Sequence, residues 1–418
     1  MSRERLLNRF LKYTQIDTTA GEPGEKYPSS DGQLTLGKLL ADEMREMGIA
    51  DAEQDKFGLV YGTVPGKVTG CPIVALNSHV DTSPETTGAN VKPQVIANYA
   101  GGDIPLSGDP TKVITVKDNP ELNDLHGCTL ITTDGTTLLG GDDKAGIAVI
   151  LEAAQRILEN ESLKTGPLKI LFTCDEEIGH GVDHVDLDRL GADVCYTLDG
   201  PGANELNAET FSADLATVIV KGENIHPSIG KGRMINSIRA ASLLVAKLPV
   251  DKLSPESTEE REGFIHPYIV QGGVAETTVQ CLLRSFETEE LTQQAELLQT
   301  LAKEVEVEFP GCEITVKITP QYRNLRDGLD KEPRAVPLAE KAHQALDRPV
   351  NKSVIRGGTD GSALTARGLP TPNLSTGQHN PHSPLEWACL DEMEQAVELV
   401  LKLLELWSTE PKSPAASS

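Results

Sequence analysis

The sequence predicts an α/β protein carrying a second, inserted α+β domain of ferredoxin-like type. Two observations predict it. Short apolar runs with the length of buried strands alternate with amphipathic helical stretches through most of the chain, and several of these runs end in histidine or acid. Between about residue 209 and residue 325 the order changes to strand, helix, two strands, helix, strand, which fits a small two-layer domain. The expected division is therefore 1–208 and 326–407 for the larger domain, 209–325 for the insertion, and a disordered tail at 408–418, rich in Ser, Pro and Ala.

Residues 4–15 read as a first amphipathic helix and Leu36–Met47 as a second. Pro72–Asn77 reads as a buried strand that stops at Ser78-His-Val-Asp-Thr-Ser-Pro84. Residues 85–127 are long, irregular and rich in Gly, Pro and Asn, a length that usually signals a task. Thr129–Leu139 reads as a hairpin around Asp134-Gly135. It leads into Gly140-Gly-Asp-Asp-Lys-Ala-Gly146 and a helix running to about Leu158. Leu168–Thr173 and Val194–Leu198 read as further buried strands, ending at Cys174-Asp-Glu-Glu-Ile-Gly179 and at Asp199-Gly200. In the insertion, strands are expected at Ala213–Val220, twice within Ile269–Phe286, and at Cys312–Gln321, with helices at Met234–Leu248 and Thr288–Val305. The larger domain resumes with a helix at 335–346, short strands at Ser353–Ile355 and Thr371–Leu374, and a last helix at 390–407. Just past the last strand lies Gln378-His-Asn-Pro-His-Ser-Pro-Leu-Glu386.

Composition limits the function. The chain has 38 basic and 63 acidic residues, a formal charge of -25, which argues against nucleic acid or an anionic membrane as partner. No apolar run reaches the ~18 residues of a membrane span. The N-terminal stretch is charged at helical spacing, unlike a signal peptide. Seven scattered cysteines without a CxxC pair suggest reduced thiols and a cytoplasmic protein.

Each acidic motif alone has an ordinary reading. Asp142 and Asp143 suit the first turn of a helix, with Lys144 solvated beside them; His79 with Asp81 suits a polar strand end. Four apolar segments that all deliver His or acid at their C-terminal ends argue against surface charge, because ligands of open α/β sheets bind there. His79, Asp142, Glu177, Asp199 and His382 form a mixed His/carboxylate set suited to zinc, with manganese or cobalt as substitutes. Five ligands suit two ions that share a carboxylate, roughly 3.5–4 Å apart, activating a water between them. Glu176, beside Glu177, is the candidate base for that water. Residues Gly140–Gly146 lack the Gly-Lys-Ser/Thr of a phosphate-binding loop.

Ser78-His-Val-Asp-Thr-Ser-Pro84, Gly140–Gly146, Thr173–Gly179, Asp199-Gly200 and His382 with Glu386 resemble the di-zinc aminopeptidase, aminoacylase and carboxypeptidase superfamily. Within it, Gly101-Gly-Asp-Ile-Pro105, Leu130–Gly135, Thr258-Glu with Glu262-Gly-Phe264, and Arg356-Gly-Gly-Thr-Asp-Gly361 are most similar to the tripeptide aminopeptidases. The resemblance implies a zinc-exopeptidase-type domain with a central mixed sheet flanked by helices, and a lid made by the insertion. It implies two zinc ions per subunit: His79 and Asp199 on one, Glu177 and His382 on the other, and Asp142 bridging, with Asp143 not a ligand. Asp81 would orient His79. Glu176 would be general base, then acid, as a di-zinc-bound hydroxide attacks the first peptide carbonyl of a short peptide with a free N-terminus. His226, in Asn224-Ile-His-Pro227, would stabilise the oxyanion, and Arg284 and Arg356 would contact peptide backbone or carboxylate. A homodimer through the lid is also implied. His379 is the competing ligand in its loop. The stretch His-Ser-Pro-Leu-Glu-Trp at 382–387 departs from the tripeptidase pattern toward the wider superfamily, which keeps a dipeptidase, a carboxypeptidase or an N-acyl amino acid hydrolase as alternatives. A non-enzymatic metal- or peptide-binding module would need no base at Glu176.

Overall fold

The structure is a computed structural model that describes residues 2–412 except 23 and 25. It divides into two compact units, one of residues 1–208, 328–353 and 359–418, the other of residues 209–327 and 354–358.

The first unit is built on a ten-stranded mixed sheet. Its centre is four adjacent strands, Leu168–Thr173, Val74–His79, Val194–Pro201 and Asn373–His379, all parallel. Both faces of these strands are buried, which explains why they read as continuous apolar runs. On one face Val74, Leu76, Leu168, Ile170, Tyr196 and Leu198 pack under the helices Ser2–Thr14, Asp31–Glu46, Gly141–Glu159, Ala335–Ala345 and Leu390–Trp407. On the other face Ala75, Leu171 and Cys195 meet Val182, Val185, Leu190 and Leu364. Four parallel strands side by side place four C-terminal ends in a row, at Thr173, His79, Pro201 and His379, with Asp199 two residues before the end of its strand.

Several expectations need correction. Thr129–Leu139 is not a hairpin. Only Leu130–Thr132 is a strand, and it pairs antiparallel with Gln94–Ile96 and Trp387–Cys389. The expected turn is instead held locally, with Thr133 Oγ1 donating to the Thr137 carbonyl (2.9 Å) and the Asp134 carboxylate accepting from the Thr136 amide (2.9 Å). Residues 85–127 are more ordered than their composition suggests. They contain Gln94–Ile96, a small pairing of Ile104–Leu106 with Asp109–Ile114, and the 3₁₀ turn Pro120–Asp124. Tyr99, Ile104, Leu106, Ile114, Leu122 and Leu125 form a separate core with Leu130, Trp387 and Cys389. Ser353–Ile355 is no strand, although Ile355 bridges to Thr210. The strand Val60–Val64 and the helix Asp360–Ala366 were not anticipated. Of the expected tail, 408–412 is anchored by the Lys412 amide on the Gly70 carbonyl (3.0 Å) and by Lys412 Nζ on Asp193 (3.0 Å). Residues 413–418 lie outside the described residues.

The second unit has an antiparallel sheet in the order Phe264–Gly272, Glu276–Ser285, Ser212–Lys221, Glu313–Tyr322. Its helices Ser237–Ala246 and Thr288–Glu308 contribute Ala240, Leu244, Leu298 and Val305 to a core with Val218, Val279 and Leu283. The chain order is β-α-β-β-α-β, as expected.

Candidate metal centre

The strand ends converge. His79, at the end of its strand, is buried and sets Nε2 2.9 Å from Asp142 Oδ1, 3.8 Å from Asp199 Oδ1 and 3.9 Å from Glu176 Oε2. His382 Nε2 lies 2.8 Å from Glu177 Oε2 and 3.5 Å from Asp142 Oδ2. Asp142 therefore presents one carboxylate oxygen to each histidine. The donor atoms of His79, Asp142 and Glu177 lie within 4.8 Å of one another.

Neighbouring groups fix these side chains. The Asp81 carboxylate accepts from the amides of both Glu176 (3.1 Å) and Glu177 (3.0 Å), while His79 Nδ1 is 3.1 Å from the Asp81 carbonyl and 3.5 Å from its Oδ1. Asp81 thus braces the Glu176–Glu177 turn as well as the imidazole. Asp175, just before that turn at a φ of 61°, is clamped from the N-terminal segment. The Ser29 amide (2.7 Å) and Gln33 Nε2 (2.6 Å) donate to its carboxylate, and its own amide donates to Gln33 Oε1 (3.0 Å). Gln378 Nε2 donates to the Asp199 carbonyl (3.1 Å), and Asn373 Oδ1 accepts from the Asp199 amide (3.1 Å).

Two readings of the 140–146 stretch change. Asp143, expected as a first-turn acid, stands in the first turn but is not merely a cap. It is fully buried, accepting from Ser78 Oγ and from the Gly146 amide (3.2 Å), and it stands within 4.8 Å of donor atoms on His79 and Asp199. Lys144 is equally buried and donates to the Ile16 carbonyl (2.8 Å). The Asp142–Asp143 peptide is cis, and regular helical backbone begins only after Asp143. Sequence reasoning gave Glu386 no role beyond the motif. Its buried carboxylate accepts from the amides of Leu139 (2.6 Å), Gly140 (2.8 Å) and Asp142 (3.0 Å), tying down the turn that carries Asp142. The rival ligand His379 is engaged elsewhere, with Nε2 2.6 Å from Glu392 and its ring stacked on Trp387.

The other predicted residues belong to the second unit. His226 is exposed, and its Nδ1 is 2.7 Å from Ser228 Oγ. Arg284 donates to the Leu283 carbonyl (2.9 Å). Arg356 braces the 258–262 loop by donating to the carbonyls of Glu260 (3.0 Å), Glu262 (3.0 Å) and Thr258 (3.3 Å).

The donor set fits divalent metal. Glu177 Oε1 is buried without a hydrogen-bond partner, a costly state that a cation would relieve. Burial, and then the charge of Asp142, push the carboxyls of Glu177 and Asp199 up to about 7. Hydrogen bonds to Asp142 and Glu177 raise His382 to about 11 against an opposing burial effect. Asp142 is held well below the usual range, since the hydrogen bonds from His382 and His79 overcome its burial. Compensation by retained protons is what a metal pair would replace.

A pH dependence follows. Glu177, Asp199 and His382 all have raised pKa values, so the folded metal-free chain binds more protons than the unfolded one. Their stabilisation is complete below the unfolded values. The carboxyl part is lost as pH rises through about 7, and the imidazole part declines further toward about 11. Metal binding displaces these protons and strengthens with pH. The Tm gap between zinc-loaded and chelator-treated protein should therefore widen from about pH 5.5 to about pH 8. A gap that narrows over that range would contradict the account.

Buried histidine and carboxylates at the carboxyl ends of parallel strands, with a spare acid beside them, define a metal-dependent hydrolase of the peptidase type. Residues 133–406 match Peptidase family M20/M25/M40. The chain is 43% identical over 407 residues to Peptidase T of Desulfitobacterium hafniense (strain Y51), covering 97% of this chain and 98% of that one. Among solved structures it resembles aminopeptidase PepT from Bacillus cereus ATCC 10987 (TM-score 0.75, 22% identity, 97% and 99% covered). It also resembles the YXEP protein of Bacillus subtilis, described as a dinuclear metal binding peptidase from the M20 family (TM-score 0.65, 14% identity, 97% and 98% covered). At these identities the two structures speak for the fold alone. The chain belongs to peptidase family M20/M25/M40.

Proposed function

We propose that the protein is a tripeptide aminopeptidase that removes the N-terminal residue of tripeptides and other short peptides. The observation that carries the metal assignment is the division of Asp142, whose Oδ1 faces His79 and whose Oδ2 faces His382. His79 and Asp199 would hold one ion, Glu177 and His382 the other, and Asp142 would be shared. Bound there, two zinc ions, with manganese or cobalt as substitutes, would supply Lewis-acid polarisation of the peptide carbonyl and lower the pKa of water toward about 7. Glu176 is the base. Its carboxylate takes the proton of the attacking water and returns it to the leaving amine nitrogen. Burial raises its pKa well above the ordinary carboxylate range in the metal-free chain. Asp81, through the amides of Glu176 and Glu177, keeps base and ligand in fixed relation. On the resemblance described above, the inserted unit is a lid and dimerisation element. Its His226 and Arg284 are the substrate-contact candidates, and Arg356 would join them by exchanging loop carbonyls for a substrate group. Dimerisation is readable by sedimentation. With seven free cysteines, the proposed site of action is the cytoplasm.

The test is a panel of Ala-Ala-Ala, Ala-Ala and N-acetyl-alanine on metal-depleted and zinc-restored enzyme. Release of N-terminal alanine from the tripeptide, dependent on zinc, is expected. Cleavage of the acylated substrate alone would move the protein to the N-acyl amino acid hydrolases.

A further inference from the structure

The histidine that completes the second metal position is carried on the loop between the strands Asn373–His379 and Trp387–Cys389. His382 is about one-third exposed, and both it (φ 60°) and Asn380 (φ 52°) adopt the left-handed conformation that non-glycine residues avoid. Two such residues within three positions persist only where surrounding contacts hold them. The loop makes some of those contacts itself, with Asn380 Nδ2 donating to the Leu385 carbonyl (3.3 Å) and the Leu385 amide donating to Ser383 Oγ (3.0 Å), and the 85–127 segment makes others.

Asn119 is the hub. It is 4% exposed, and its Oδ1 accepts from Asn380 Nδ2 (2.7 Å) and from the indole Nε1 of Trp387 (3.3 Å). Its amide group is oriented unambiguously, because Nδ2 donates to the Thr115 carbonyl (2.9 Å) while the oxygen faces two donors. One oxygen thus spans the His382 loop, from Asn380 before the histidine to Trp387 after it. Thr86 adds a second tie, its Oγ1 donating to the His382 carbonyl (2.8 Å). Glu121 adds a third, 3.5 Å from His379 Nδ1, where His379 stacks on Trp387. The apolar side chains of the segment, Tyr99, Ile104, Ile114 and Leu122 among them, pack on Trp387 and anchor the frame from which these polar ties reach out.

We propose that the 85–127 segment is a brace for a metal ligand and that Asn119 is a positioning residue for His382. The inference rests on the reading of His382 as a ligand. Asn119 touches neither metal nor substrate. It acts by restricting Asn380 and Trp387, so that the imidazole stands ready opposite Glu177 and Asp142. Groups behind a ligand commonly change metal affinity about 10- to 100-fold when removed.

The experiment is a zinc titration of metal-depleted protein against a chromophoric chelator, for the unaltered chain and for Asn119→Ala, Thr86→Val, His382→Ala and Asn123→Ala. Asn123 is an exposed residue of the same 3₁₀ turn and serves as the control. Asn119→Ala should weaken one of two zinc equivalents about 10-fold or more, leave the other unchanged, and recover turnover at saturating zinc. Thr86→Val, nearly isosteric, should weaken the same equivalent and carries the test if Asn119→Ala does not fold. Asn123→Ala should bind as the unaltered chain does. If His382→Ala weakens one equivalent while Asn119→Ala and Thr86→Val leave both unchanged, or weaken both equally, the brace is refuted and the ligand reading stands. If His382→Ala itself leaves zinc binding unchanged, the ligand reading fails, and the brace with it.

Discussion

Glu176→Gln should retain its metal and lose most of its turnover, with kcat falling about 10²- to 10⁴-fold, the range expected when a general base is removed. Retention of metal follows from position. Glu176 is outside the proposed ligand set, of which His79, Asp142 and Glu177 bring donor atoms within 4.8 Å of one another. Its nearest oxygen is 3.9 Å from His79 Nε2, close enough to serve a water in the site. The backbone amide at this position would still donate to Asp81 after the substitution, so the turn keeps its shape. The adjacent change makes the contrast. Glu177→Gln removes the carboxylate 2.8 Å from His382, so it should weaken zinc and be partly rescued by excess zinc. Glu176→Gln should not be rescued at any zinc concentration. Near-normal turnover in Glu176→Gln, or its recovery with added zinc, would remove Glu176 from the role of base.

What could be read from the sequence was local or periodic. The buried parallel strands were legible because burial on both faces leaves continuous apolar runs, and the proposed ligands His79, Glu177, Asp199 and His382 were candidates because they stand at or just past the ends of such runs. The final helix, Leu390–Trp407, was placed at its observed bounds because its apolar stripe is regular and begins directly after a strand. The 85–127 segment was opaque for the opposite reason. Its core uses a few apolar residues scattered among turns, and their partners, Trp387 and Cys389, lie more than 250 positions away in sequence. The hairpin expected at Thr129–Leu139 failed likewise, since Leu130–Thr132 finds better partners in strands remote along the chain than in its own continuation. Asp143 looked like a capping acid because nothing in its neighbours reveals Ser78, which holds it from the strand Val74–His79. Residues that orient ligands were the hardest class. Asp81 was a candidate through its two-residue spacing from His79, but Asp175, Asn119 and Glu386 act through partners with no fixed spacing.

Glu386→Ala should be among the most destabilising single changes at the site, and Glu386→Gln should resemble it more than the unaltered chain. The carboxylate satisfies three amides, those of Leu139 and Gly140 on Oε2 and that of Asp142 on Oε1. Each buried amide left without an acceptor costs about 1–3 kcal/mol. The carboxylate's own desolvation offsets part of this, since burial pushes its pKa up to about 7 despite those amides. A net loss of about 2–4 kcal/mol is expected, a drop in Tm on the order of 5 °C for a unit of this size. Glutamine preserves the shape but not the chemistry. If its oxygen serves Leu139 and Gly140, its NH₂ meets the Asp142 N–H, donor against donor; the other orientation fails two amides instead of one. Either way the turn carrying Asp142 loosens, and with it the residue that faces both histidines. Zinc affinity should therefore fall about 10- to 100-fold in both variants, measured by chelator competition alongside thermal unfolding. A Glu386→Gln protein as stable and as tight for zinc as the unaltered chain would show that Asp142 is held by the backbone alone, and that Glu386 contributes nothing to the centre.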